Sequence, residues 1–395
     1  MAVSPSKQQH VLVATPVLLS GGTELQMLSM VRILVREGYR VSVCCYYESD
    51  PAILAEFQSA GAEVDLLGLN RTTGKSTARE IVVLYRALRK VFKAHPDSIV
   101  HVQYVAPGLI PVLAAKVSGI KTIFATIHYP RHRLGRKEAL LVRLAARMCT
   151  LFICNSSATE RSWFGSAGIF SESVKTERRH CTIFNGVDEK AIGRLSSSVN
   201  KTAAKKKLGV GREKIVGVVG RLRSEKGHEF LFRTMAQVLT AYPSVRLLVA
   251  GDGPERDLLT ALAKELGIEK NIVWTGTKTQ KEIFSLYGIF DLVVVPSQFE
   301  GFSLTAAEAM AAEIPVVASD VGGLRDVVDD QETGLLVPYN DTERLQRAIL
   351  QLLRDEELSD NMGAAGRKKV KRQFSMEQYQ RSLLAAYRVS SQNGQ

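Results

Sequence analysis

The feature that most constrains this chain is an alternation repeated along its length. A short apolar run of strand size is followed by a segment with helical period, again and again. Residues 11–15, 40–45, 63–67, 99–103, 122–126 and 151–154 read as strands, and 24–36, 78–93, 109–117 and 136–148 as helices between them. Consecutive strands separated by a helix cannot close as hairpins, so they pair in parallel and need cover on both faces. The pattern pauses at 185–211, a Gly-, Ser- and Lys-rich stretch expected to be a boundary. It restarts with strands at 215–220, 246–251, 272–275, 292–296 and 316–319, and ends in an amphipathic helix at 376–389. The expectation is an α/β chain of two doubly wound domains joined by a hinge. Open parallel sheets bind ligands beyond the carboxyl ends of their strands, so a cleft is expected there. A length of 395 residues suits two cores.

Charge is uneven. Residues 1–190 carry 24 Lys and Arg against 15 Asp and Glu, a net +9 of the overall +12, so an anionic partner is expected on the first half. No run approaches the length of a membrane span, and residues 11–19 are interrupted by Pro16, so they read as a strand and not a leader. The five cysteines form no C-x-x-C pair, which favours buried thiols and a cytoplasmic location.

Glycines close three of the strands: Gly21-Gly22, Gly220 and Gly251-Asp252-Gly253. At such turns the backbone can approach a ligand, and a helix start beyond it favours an anion. Two resemblances to nucleotide motifs fail. Gly251-x-Gly253 has Arg256 where the dinucleotide fingerprint needs a third glycine, and Gly74-Lys75-Ser76 has Leu69 where a P-loop needs its first. The run from Gly220 to His228 (GRLRSEKGH) is more informative. Arg221 offers a planar fork and Lys226 a point charge, enough to neutralise a diphosphate without metal. An exposed helix start built on Glu225 and Lys226 is the alternative. The run from Pro296 to Met310 (PSQFEGFSLTAAEAM) holds Glu300 and Glu308 with no charge between them; Thr305 and Glu308 are spaced as a capping box.

Taken together, these strings resemble family 4 of the retaining glycosyltransferases. The resemblance rests on GGTE, TIH, CNSSATERSWF, IFNGVD, GRLRSEKG, AGDGPER, PSQFEGFSLTAAEAM, VVASDVGGLRDVV and TGLLVP in this order, over about residues 10 to 390. It implies the GT-B fold: two facing Rossmann-like domains, 1–184 on the acceptor side and 185–374 on the nucleotide-sugar side, with a C-terminal helix (375–395) crossing back. The resemblance also implies roles. Glu308 binds the ribose, and Glu300 contacts the transferred sugar. Arg221 and Lys226 clamp the diphosphate, and His128 stands by the reacting sugar. Gly21, Gly22, Gly301, Phe302, Ser303 and Leu304 line the phosphate path. The implied reaction is transfer of a sugar, with retention and without a divalent metal or other cofactor. The donor is a nucleoside-diphosphate sugar, with a UDP-sugar favoured. The acceptor is a hydroxyl on a growing cell-surface glycan, such as a lipopolysaccharide, or on a lipid-linked saccharide. Another GT-B enzyme (an epimerase or a phosphorylase) and a silent nucleotide-sugar-binding scaffold are the alternatives. Basic helices at 78–93 and 136–148 suggest peripheral contact with an anionic membrane. Nothing in the spacing resembles a nucleic-acid reader.

Overall fold

The structure is a computed structural model that describes residues 8–71, 77–103, 109–170 and 179–392. The Gly74-Lys75-Ser76 string lies outside them. The chain divides into two compact units, one running to Asn185 and including Tyr379 onward, the other spanning Gly186–Gln378.

The first unit is built on a parallel sheet of seven strands: β1 (His10–Thr15), β2 (Arg40–Cys45), β3 (Glu63–Leu66), β4 (Ile99–Gln103), β5 (Ile123–Ile127), β6 (Leu151–Cys154) and β7 (His180–Thr182). Their spatial order is β3-β2-β1-β4-β5-β6-β7. The chain therefore starts in the middle of the sheet, runs to one edge, and returns past β1 to the other, which places a switch point between β1 and β4. Central strands are buried along nearly their whole length, as strands covered on both faces must be. Only β7, three residues long, escapes the sequence pattern; buried Glu160 fixes it, accepting from the Thr182 hydroxyl and lying 2.7 Å from His180 Nδ1.

The second unit repeats the plan with six strands: β8 (Lys214–Val219), β9 (Val245–Ala250), β10 (Ile272–Gly276), β11 (Leu292–Val295), β12 (Val316–Ser319) and β13 (Leu335–Val337), in the order β10-β9-β8-β11-β12-β13. Its switch point falls between β8 and β11. All strand pairs in both sheets are parallel.

The stretch 185–211 is not the open boundary its composition suggests. It folds into two short helices of the second unit, Glu189–Ser197 and Lys201–Lys207, capped by Asp188 and Asn200. Lys205, within the tri-lysine run, is buried and donates to the Glu213 carbonyl at 2.8 Å and to Asp291 at 3.3 Å. A hydrophilic string is thus consumed by a buried ion pair. In the first unit, Tyr387 of the last helix, Met376–Gln392, packs edge-on against Phe124 of β5, and Gln380 donates to Glu37. All five cysteines are buried free thiols. Among the described residues no helix is long and apolar enough to cross a membrane.

Candidate functional site

In the second unit the strand ends on either side of the switch point carry the loops of interest. Gly220 leaves β8 in an extended, positive-φ conformation, and the loop after it packs hard against its neighbours. A Cβ on Gly227 would stand 2.0 Å from the Pro296 carbonyl oxygen, and one on Gly253 2.4 Å from that of Leu222. Glycine is required there because backbone meets backbone.

This packing sets Lys226 beside the loop that follows β11. Its Nζ donates to Glu300 Oε1 at 2.7 Å, and the hydroxyl of buried Ser297 donates to the same oxygen at 2.8 Å. Lys226 therefore pairs with Glu300, not with its neighbour Glu225. Arg221 is exposed and makes no ion pair among the described residues, which leaves a free guanidinium at the end of β8. Behind Glu300, the amide of Gly323 donates to the Glu300 carbonyl at 2.9 Å. A Cβ on Gly322 would sit 2.3 Å from that same oxygen. The GG pair after β12 thus clamps the loop from below.

The helix after Glu300 runs Leu304–Ala311, with Ser303 as its N-cap at φ +92. This overturns the capping-box alternative. Thr305 lies inside the helix and donates to the Val219 carbonyl at 3.3 Å, tying the helix to the end of β8. Glu308 reaches no backbone amide at the helix start. Its carboxyl group is half-buried and accepts from the Tyr287 hydroxyl at 2.9 Å. Burial raises its pKa to about 7, and the Tyr287 hydrogen bond opposes the rise. Gly301 and Phe302 complete the loop; buried Phe302 packs its ring against Phe374.

In the first unit, Gly21 is the N-cap of the helix Gly22–Arg36 that follows β1. Its φ of −173 is ordinary extended backbone, and a Cβ there would meet only the movable end of the Glu24 side chain, at 2.6 Å. His128 follows β5. Its Nε2 stands 3.1 Å from Gln103 Oε1, an atom that can only accept, so Nε2 carries the proton. Gln103 Nε2 lies 3.3 Å from His101 Nε2, which also lies 2.7 Å from the Thr126 hydroxyl. His101 therefore holds its proton on Nδ1 and donates it to Tyr387 at 2.7 Å. Desolvation lowers the pKa of His128 to about 4 and that of His101 to about 3, so both rings are neutral. The network borders a cavity of about 20 Å³.

Sequence reasoning singled out Lys226, Glu300, Glu308 and His128 but missed the side chains that hold them: Ser297, Tyr287, Gln103 and His101. Ser297 was visible in the PSQFEG string; the others lie far away in sequence and carry no local signal.

Two Rossmann-like units, each with a switch point, and a paired cation and carboxylate at the second define a GT-B type of protein. Comparison with known proteins agrees. Residues 20–190 match the Glycosyltransferase Family 4 model, and residues 200–369 match Glycosyl transferases group 1. The chain is 35% identical over 282 residues to the lipopolysaccharide core biosynthesis mannosyltransferase LpsB of Rhizobium meliloti, a match covering 66% of this chain and 78% of that protein. It is 36% identical over 235 residues to the D-inositol 3-phosphate glycosyltransferase of Segniliparus rotundus, covering 56% of this chain but only 52% of the relative. Among solved structures, Anabaena HepE in complex with UDP and glucose superposes with a TM-score of 0.79 at 19% identity, covering 95% of this chain and 98% of that one. This chain belongs to the family 4 type of GT-B glycosyltransferases.

Proposed function

We propose that the protein transfers a sugar, with retention of configuration, from a nucleoside-diphosphate sugar to an acceptor hydroxyl on a glycan or lipid-linked saccharide. The observation that carries this reading is the Lys226–Glu300 pair: a cation and a carboxylate fixed together at a switch point, with the free guanidinium of Arg221 on the adjoining loop. A diphosphate supplies the anion for Arg221 and Lys226, and Glu300 accepts from hydroxyls of the sugar. Glu308, half-buried and held by Tyr287, is suited to accept from the two ribose hydroxyls. Arg221, with Lys226 shared between Glu300 and the phosphates, would offset charge on the leaving diphosphate, and the proposed reaction uses no divalent metal.

In the reaction, the bond from the anomeric carbon to the diphosphate oxygen breaks. The acceptor oxygen bonds the same face of that carbon, and the acceptor's proton passes to the departing phosphate. His128, which follows β5 and stays neutral, is assigned the place beside the reacting sugar. UDP is the favoured nucleotide, and HepE, of the same fold, was solved with UDP. A polysaccharide or lipopolysaccharide acceptor is suggested by the likeness to LpsB. Five buried thiols suit a reducing cytoplasm.

Calorimetric titration with UDP, GDP and ADP in EDTA, alongside Glu308→Ala, tests the donor site. Metal-free binding of one nucleotide, weakened in the variant, is expected; no binding by the folded protein overturns the assignment. Proton NMR of the first-formed product reports the anomeric configuration, and inversion would remove the retaining mechanism.

A further inference from the structure

The helix Glu356–Gln373 packs on the helix that carries Glu308, and its far end reaches the loop that carries Glu300. Its glycines allow the close packing: a Cβ on Gly363 would stand 2.1 Å from the Glu313 carbonyl oxygen, and Gly366 faces Met310. Two residues at the far end then act on the loop 300–303. Phe374, the C-cap, is fully buried and sets its ring edge-on to that of Phe302, with 5.3 Å between centroids. Five residues earlier, buried Lys369 donates to the Asp326 carbonyl and to the Asp329 carboxylate, each at 2.8 Å. Asp326 belongs to the short helix Leu324–Val327, whose N-cap is Gly323, the residue that donates to the Glu300 carbonyl. One helix end therefore reaches the loop by two routes, through the Phe302 ring and through the glycine clamp.

Stability alone would not choose these contacts. Burying the Lys369 ammonium costs desolvation that its ion pair offsets only in part, and an apolar side chain of similar length would fill the space at lower cost. Ser303, next to Phe302, stands at φ +92, a conformation that persists only where the surroundings over-determine the backbone. The backbone around Phe374 is itself pinned: the Val187 amide donates to the Phe374 carbonyl at 2.8 Å, and the Met376 amide to the Val187 carbonyl at 2.9 Å. The groups assigned to the nucleotide have other supports. Glu308 is held by Tyr287, and its helix is tied to the end of β8 by Thr305.

We propose that Phe374 is a positioning residue for the donor sugar: its ring, backed by Lys369, holds the loop 300–303 so that Glu300 meets the sugar hydroxyls. Recognition of the nucleotide by Glu308 does not depend on it. The inference rests on the donor site of the proposed function and divides that site into two separately supported halves. Removing the Phe374 ring leaves Glu308 and Tyr287 in place and lets the loop beside the sugar relax.

The test compares the wild type with Phe374→Leu, Phe302→Leu and the double variant. Ile349→Ala, which removes fully buried packing from the helix Thr342–Arg354 of the same unit, is the control for lost stability. Calorimetry measures UDP against UDP-glucose and GDP against GDP-mannose, and mass spectrometry follows amide exchange over residues 297–306. In Phe374→Leu the nucleotide affinity is expected to hold, while the ratio of nucleotide-sugar to nucleotide affinity falls roughly tenfold. Exchange over 297–306 should quicken. Phe302→Leu should do the same, and the double variant should be no worse than either single change. Ile349→Ala should lower the denaturation midpoint and leave the affinity ratio alone. Nucleotide and nucleotide sugar weakened alike, unchanged exchange over 297–306, or an equal change of ratio in Ile349→Ala overturns the proposal. A wild type that binds neither pair overturns the donor reading and the proposal with it. A wild type that binds, beside a Phe374→Leu variant with the same ratio, removes Phe374 alone and leaves the donor reading standing.

Discussion

Lys226 Nζ lies 2.7 Å from Glu300 Oε1, so two groups to which the proposed reaction gives separate roles are joined to each other. Each neutralises the other, and an arriving diphosphate must share the lysine. Lys226→Ala is expected to lower kcat by roughly a hundredfold or more, the usual cost of losing one group that stabilises developing charge. Glu300→Gln keeps the shape and frees the lysine. If the pair acts as a unit, the double variant is less impaired than the product of the two single effects. Steady-state kinetics on the four proteins decide this; strictly multiplicative effects would mean that the ion pair has no part in the reaction.

If Glu308 holds the ribose as proposed, nucleotide binding should depend on pH. Ribose hydroxyls donate to a carboxylate, whereas desolvation pushes the pKa of this half-buried group up to about 7. UDP affinity should therefore rise with pH through 7, level off above, and fall by roughly tenfold per unit below. Tyr287→Phe removes the hydrogen bond that opposes the upward shift, so the midpoint should move to higher pH. Glu308→Gln should bind more weakly at high pH and show a flat profile. Titrations across this range, in buffers of different ionisation heat, also count the proton released on binding.

Buried neutral histidines set the response to acid. The pKa of His101 is lowered to about 3, and those of His128, His228 and His10 to about 4, mainly by desolvation. The unfolded chain takes up protons on these residues near 6.5, and the native state does not, so their contribution to stability is full above 6.5 and is lost as pH falls toward 4. Glu308 works in the opposite sense between about 4.5 and 7, because its native pKa is the raised one. Four groups outweigh one. Chemical denaturation at stepped pH should show stability falling across this window, and His228→Asn or His101→Asn should shift the curve less than their sum.

Ser303 holds the helix start at φ +92, a region that costs a side chain about 1 kcal/mol or more. Its hydroxyl offsets part of this by accepting from the Ala306 amide at 3.4 Å. Ser303→Gly removes the strain and costs only a few tenths of a kcal/mol in capping. Ser303→Ala keeps the strain and loses the cap. Glycine should therefore be the more stable of the two by about 1 kcal/mol, the reverse of their order within helices. Denaturant midpoints measure it.

Both sheets were legible because a parallel strand is a compact apolar string, and β2, β4, β6 and β12 begin and end where the sequence places them. The short edge strands β7 and β13 were not: three residues carry too little pattern, and what fixes β7 is a carboxylate twenty residues away, Glu160. The helices within 185–211 were hidden because they bury little; Ile192 is the one buried apolar side chain of the first, and the second is secured by Lys205 on Asp291. At the site, Glu300 and Lys226 were readable from motif order, but that they pair depends on Gly227 lying against Pro296, a contact of tertiary packing alone.

The proton on His128 depends on Gln103. Gln103 Oε1 fixes the Nε2–H tautomer, and its own amide is fixed by His101, whose other nitrogen donates to Tyr387. Gln103→Leu removes both contacts and with them the acceptor for His128 Nε2–H; if His128 stands by the reacting sugar as proposed, kcat should fall by roughly tenfold or more, with KM for the acceptor little changed. Gln103→Glu still accepts from His128 but has no donor for His101, so it should retain more activity than the leucine variant. A purely structural role would instead have the two variants fail in proportion to their loss of stability. Nitrogen-15 NMR of the ring gives a readout independent of turnover. The wild type should show a single Nε2–H tautomer for His128, and the leucine variant a mixture. A wild-type ring protonated on Nδ1 would remove Gln103 from the mechanism.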